Sequence, residues 1–309
     1  MPGGRPSLGL AAGNQSMLLG IKPTVDFAFK KVFGSPENVP ILIGLLNGIL
    51  ELANPIVHVE ILNPFSYQDF GDDKLIVLDI RARDSAGRWL NIEMQVSVFT
   101  GLLQRLVYYA CTLYVDQLDA GQNYADLRPA ISICLLNKIL FRDASAPHHR
   151  FRLADPEHEL EIFDSVEVHT VELTKYNASE ETLCEATAIE QWAFFFLFAD
   201  RYEPERLREL LPGVEFQRAI TVIEAIAAKT EDRVMYDQRE KAQRDYQWAL
   251  DGARQEGRDE GSLAGKIQLL QQLLGEESSS TESLLERPMD ELSTLLAVLQ
   301  QRLRSREAQ

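Results

Sequence analysis

The sequence predicts an α/β fold, a mixed β-sheet flanked by helices, followed by an all-helical C-terminal region. Three observations predict it. Between residues 56 and 173, short runs with period-two alternation or unbroken apolar character are separated by stretches of helical spacing, the pattern of a sheet with helical crossovers. Ala130 to Leu136 is apolar nearly throughout, which is expected of a strand covered on both faces. From Glu180 onward almost every segment has helical periodicity.

In order, Val25 to Phe33 repeats its apolar residues at helical spacing, and Gly34 closes the run where a left-handed residue is wanted. Asn38 and Pro40 open a second, nearly all-apolar helix that ends before Asn54-Pro55. Ile56 to Leu62 reads as a strand, and Lys74 to Val96 as a β-hairpin around the turn Asp84-Ser85-Ala86-Gly87. Thr100 to Leu118 is a helix with Leu103, Leu106, Val107, Ala110, Leu113 and Tyr114 on one stripe. After the Ala130 strand, Phe141 to His149 reads as loop. Strands are expected at Phe151–Leu153, Leu160–Phe163 and Val166–Leu173. Helices follow at Glu180–Asp200, Pro204–Leu211, Glu215–Lys229, Glu231 to about Gln272, Thr281–Leu285 and Met289–Leu303. Gly252, Gly257, Gly261 and Gly265 interrupt the long charged run, each costing a helix about 1 kcal/mol relative to Ala. The domain reading is an unstructured extension over 1–20, an α/β domain over 21–176, a helical region over 177–230, and a charged helical arm and tail over 231–309.

The net charge of −16 argues against a general nucleic-acid binder, but the acidity is uneven. The first 140 residues hold 11 basic and 13 acidic side chains, leaving 20 and 34 for the remainder. The first half is nearly neutral and can carry a local positive surface. The acidic arm reads as a solvated helix face or a surface for homo-oligomer formation. The most apolar stretch, Trp192 to Ala199, is too short for the roughly 20 residues of a membrane helix, so no membrane is expected. Cys111, Cys134 and Cys184 form no CxxC pair and have no His at zinc spacing, which suits a reducing cytoplasm.

The hairpin carries the chemistry. Strict alternation places Asp79, Arg81 and Arg83 on one face of its first strand, and Asn91, Glu93 and Gln95 on one face of its second. A turn centred near Ala86 sets Asp79 directly opposite Glu93. Two like charges about 5 Å apart destabilise a sheet, whereas a divalent cation removes the objection: Mg²⁺ takes carboxylate oxygens and completes its shell with water and phosphate. Gln95 can orient a water or phosphate oxygen from the same face. The competing reading is a solvent-facing hairpin whose Arg81 and Arg83 neutralise the acids.

The order Asp, hairpin turn, Glu-x-Gln resembles the PD-(D/E)XK nuclease superfamily, in the form found in the recombination-promoting nuclease and transposase family. The likeness includes Asp26 to Gly34, Leu45 to Leu50, Leu78-Asp79-Ile80, Ile92-Glu93-Met94-Gln95, Arg105 with Tyr108-Tyr109, and Val171 to Tyr176. It implies a nuclease-like core and Mg²⁺-dependent cutting of DNA, with Asp79, Glu93 and the Met94 carbonyl as ligands. Leu78 stands where the wider superfamily has proline. Gln95 replaces its lysine, and so is confined to positioning. Asp26, on the first helix, is a second-tier acidic candidate beside the metal, though with Lys30 it also reads as a surface ion pair. Lys30, Gln104, Arg105 and Tyr108 are candidates for contact with substrate. The expectation is a metal-dependent DNA endonuclease, with a non-catalytic DNA-binding or assembly module on the same fold as its rival.

Overall fold

The computed structural model describes residues 18–70, 79–162 and 165–307. The expected N-terminal extension up to residue 17, the start of the hairpin at Lys74 and Phe163 lie outside them. Two compact units are present, Met1–Ala242 and Gln243–Gln309.

The first unit opens with α1 (Asp26–Phe33) and α2 (Val39–Leu50). Five apolar residues of α1 are wholly buried, as are Ile41, Leu42, Leu45 and Leu46 of α2. Gly34 ends α1 for a reason other than the expected one. Its φ is −101°, not left-handed, but a Cβ there would stand 2.6 Å from the Lys30 carbonyl oxygen. Close packing of the last turn is therefore what demands glycine. The left-handed cap falls instead at Glu51, after α2.

Six strands form one sheet: β1 (Val59–Ile61), β2 (Ile80–Asp84), β3 (Trp89–Gln95), β4 (Ala130–Leu136), β5 (His148–Arg152) and β8 (Val166–Glu172). Their order is β1-β2-β3-β4-β8-β5. β3, β4 and β8 run parallel, and the other pairs are antiparallel. A separate small pair joins β6 (Ala154–Asp155) to β7 (Leu160–Glu161). Every residue of β4 is buried, because helices cover both faces of the sheet. The helix α3 (Leu102–Val115) makes the crossover from β3 to β4 and lays Leu102, Leu106 and Ala110 on Cys134, Leu136 and Val168. On the opposite face Ile80, Ala82, Leu90, Ile92, Ile133 and Leu135 join the main core.

That core is shared with α4 (Ala188–Phe198), α5 (Pro204–Leu210) and α6 (Val214–Ala228). Trp192, Phe195 and Phe196 sit inside it, in ring contact with Phe33 and Phe216. α4 starts eight residues later than periodicity suggests. A capping box fixes the start: the Glu190 side chain accepts from the Thr187 amide at 2.7 Å. α7 (Thr230–Leu274) is continuous through all four glycines. Its first turns are tied to the sheet domain by Lys31–Asp232 at 2.6 Å and by the Tyr67 hydroxyl, which donates to Asp232 at 2.7 Å.

The second unit comprises the end of α7, α8 (Thr281–Leu285) and α9 (Met289–Glu307). Ala264, Ile267, Leu284, Leu292 and Leu299 make its core. Gln271 reaches across the connecting loop to the amide and hydroxyl of Ser279. Among the described residues no helix is long and apolar enough to cross a membrane.

Candidate active site

The site starts at the hairpin turn. Asp84 Oδ1 accepts from the Ala86 and Arg88 amides at 2.9 and 3.0 Å, and Oδ2 pairs with Arg88 Nε at 2.6 Å. Gly87, at φ +82°, supplies the left-handed step. This turn sets the register Arg83–Trp89, Ala82–Leu90, Arg81–Asn91 and Ile80–Ile92. One further step along it brings Asp79, the residue before β2, opposite Glu93.

Asp79 is anchored through its backbone. Its carbonyl accepts from Lys30 Nζ at 2.6 Å and from Asn63 Nδ2 at 3.0 Å, while its Oδ2 meets Arg81 Nε at 3.0 Å. Lys30 is only 2% exposed. Burial lowers its pKa, against the opposing pull of Asp79 and Asp69. The structure thus places Lys30 behind Asp79, not at the mouth of the site.

Glu93 is wholly buried. Its Oε2 accepts from Gln95 Nε2 at 3.2 Å and from Arg105 Nη2 at 3.1 Å, whereas Oε1 finds no partner among the described residues. Burial pushes the Glu93 carboxyl up; Arg105 and Gln95 pull it down, and the charge of Asp79 adds to the rise. The face formed by Asn91, Glu93 and Gln95 is therefore polar yet enclosed beneath α3, not turned to solvent. Arg105 descends from the first turn of α3, and its guanidinium lies over the rings of Phe99 and Tyr109 at 5.4 and 5.1 Å.

The remaining candidates separate. Gln104 is exposed and Tyr108 is 66% exposed, so both lie on the solvent side of α3, while Tyr109 supports Arg105. Met94 follows Glu93 in β3 and packs its side chain against the main core. Asp26 does not pair with Lys30. Its carboxylate accepts from the Phe27 amide at 2.7 Å and forms an ion pair with Arg239 of α7.

Two groups carry roles that pattern reading missed. Lys175 Nζ donates to the carbonyls of Phe141 and Ala144 at 2.8 and 2.7 Å and to Glu172 Oε2 at 2.6 Å. Glu172 Oε1 in turn accepts from the amides of Leu140 and Phe141. The Val171–Tyr176 run thus clasps the loop after β4. Asn91 and Ser132 are buried beside each other at the strand pair next to Glu93. The available signal was Ser132 itself, the one hydroxyl in an otherwise apolar strand.

The donor set suits a hard divalent cation. Two carboxylates, one with a free buried oxygen, leave room for the waters and phosphate that Mg²⁺ retains. Among the described residues no group of three or more His, Cys, Asp or Glu is arranged to hold a metal. Such an ion would therefore depend on oxygens beyond side-chain carboxylates. Each of the two acids carries its own arginine, Arg81 on Asp79 and Arg105 on Glu93, so the two carboxylates are locally balanced despite the chain's overall acidity.

Compared with known proteins, residues 23–253 match the model of the PD-(D/E)XK nuclease family transposase. No curated protein and no solved structure matches the chain.

Proposed function

The chain belongs to the PD-(D/E)XK nuclease family transposases, and from that premise we propose that it is a divalent-metal-dependent endonuclease hydrolysing DNA phosphodiester bonds. The observation that carries the reading is the buried Glu93 opposite Asp79, with one oxygen held by two donors and the other free. Asp79, Glu93 and the Met94 carbonyl would hold the cation, which supplies activation of water and stabilisation of charge at phosphorus.

The protein's own groups do the positioning. Gln95 and Arg105 fix Glu93 Oε2, so that a single oxygen is presented. Lys30 and Asn63 fix the Asp79 carbonyl, and with it the direction of that side chain. Arg81, 47% exposed at its side chain, is placed to meet a phosphate of the substrate backbone. Gln95 does not titrate at neutral pH, so its part is to orient Glu93 and not to take up a proton.

The test is nicking of supercoiled plasmid with and without Mg²⁺ by the wild type, Asp79→Ala and Glu93→Ala. Cleavage only by the wild type with metal is expected. Equal cleavage by all three would overturn the assignment, and DNA binding without cleavage by the wild type would favour the non-catalytic module.

A further inference from the structure

Among the described residues, the buried polar atoms that lack a partner are concentrated on one sheet face. They include both Nδ2 and Oδ1 of Asn91, Oγ of Ser132 and Oε1 of Glu93. Asn91 is 1% exposed, and Ser132 and Glu93 are wholly buried. The register places Asn91 directly beside Ser132 across β3 and β4, with Glu93 two residues farther along on the same face. Buried amide, hydroxyl and carboxylate atoms are almost always paired, and a cluster left bare is a burden that a fold of ordinary stability does not carry.

We propose that Asn91 and Ser132 hold a buried water that bonds Glu93 Oε1, making both of them positioning residues for the carboxylate. Residues two apart on a strand face repeat at about 6.7 Å along the backbone, more than the roughly 5.6 Å that two hydrogen bonds of about 2.8 Å can reach, so one water joins them only where the Asn91 and Glu93 side chains lean toward each other. The water donates to Glu93 Oε1 and to Ser132 Oγ and accepts from the Asn91 amide. Its neutrality suits the site. Arg105 already opposes the Glu93 charge, and an amide and a hydroxyl add none, so a second cation here would find no anion of its own. With Gln95 and Arg105 holding Oε2 and the water holding one lone pair of Oε1, the carboxylate plane is fixed from both ends and the second Oε1 lone pair is left for the cation. Outer partners of this kind set the orientation of a metal ligand. The link to metal binding rests on the proposed metal-dependent function; the water itself does not.

The experiment uses the full chain, with Asn91→Leu and Ser132→Ala beside the wild type. A metal-free crystal structure should show water density bounded by Asn91, Ser132 and Glu93. By calorimetry, Mg²⁺ should bind each variant about 10- to 100-fold more weakly than the wild type, with an unchanged far-UV spectrum. Should Asn91→Leu fail to fold, Ser132→Ala, which only removes an oxygen, decides. A cation in the density, a direct Asn91–Ser132 hydrogen bond with no water, or unchanged Mg²⁺ affinity in folded variants overturns the inference. Absence of Mg²⁺ binding by the wild type would overturn the metal-dependent function instead, leaving the crystallographic result to judge the water.

Discussion

Arg105 returns from the first turn of α3 to the strand that precedes it, and its Nη2 stands 3.1 Å from Oε2 of the wholly buried Glu93. The pair links the chemistry of the hairpin to the helix that roofs it. Removing the guanidinium leaves a buried carboxylate without its charge partner. Arg105→Leu is expected to cost about 2–4 kcal/mol in urea denaturation and to lower cleavage beyond what the loss of folded protein explains. Arg105→Lys restores charge but not the guanidinium's contact with the Tyr109 ring, so it should recover only part of both.

Asp26 and Arg239 offer a separate test. Arg239 is 5% exposed and meets Asp26 at the start of α1, so Asp26→Ala strands a guanidinium with less than its full set of acceptors. A loss of about 2–3 kcal/mol is expected. Cleavage per folded molecule should stay near that of the wild type, measured after correcting for the folded fraction by circular dichroism.

Lys175 holds two carbonyls of the loop after β4 together with Glu172. Lys175→Met should destabilise the protein by about 3 kcal/mol. Faster hydrogen exchange should follow at the amides of residues 139–146, with little change at β4.

The edge of the sheet should respond to acid. His148 Nε2 lies 2.9 Å from His169 Nδ1. Burial, followed by the neighbouring His169, His149 and Arg150, lowers the His148 pKa to about 4. Burial raises the Glu167 carboxyl, but hydrogen bonds from His169 and Arg150 outweigh it and pull the pKa down to about 2. In both cases the unfolded chain binds the proton more readily than the folded one. Stability is therefore full at neutral pH, falls as pH drops from about 6.5 toward 4 through His148, and falls again below about 4.5 through Glu167. After allowance for solvent screening, the His148 part is about 1–2 kcal/mol. Urea midpoints at pH 7, 5.5 and 4.5 should show the first loss, and His148→Gln should flatten it.

The glycines of α7 should behave unlike Gly44 of α2. A Cβ at Gly257 meets nothing within 4 Å, whereas at Gly44 it would press on Glu215 at 2.9 Å. Gly257→Ala should raise helical stability by about 1 kcal/mol, read as higher ellipticity at elevated temperature, and Gly44→Ala should lower the melting temperature.

Much of this was legible in local pattern. β4 matched its expected limits because an apolar run buried on both faces leaves little room for a different boundary. The Asp79–Glu93 register followed from one turn, since Asp84 and Gly87 fix where the chain reverses. Other features depended on contacts that spacing does not encode. β5 forms where loop was expected at His148 and His149, because β8 offers an edge to pair with. β1 is shorter than its alternating run, holding only the three residues that β2 can pair. The capping box at Thr187 was readable and would have placed α4 correctly. The Arg239 partner of Asp26 lies 213 residues away, beyond the reach of any local rule. That the polar face of β3 is enclosed depended on α3 folding back over it.

The clasp of Lys175 and Glu172 bears on what happens when such a gene decays. Drift that first strikes Asp79, whose side chain keeps some exposure, would alter the proposed site and leave the scaffold standing. Drift that first strikes Lys175 or Glu172 would loosen the scaffold itself. The two groups of residues sit within one recognisable motif set, yet one kind of loss leaves a folded relic and the other leaves none.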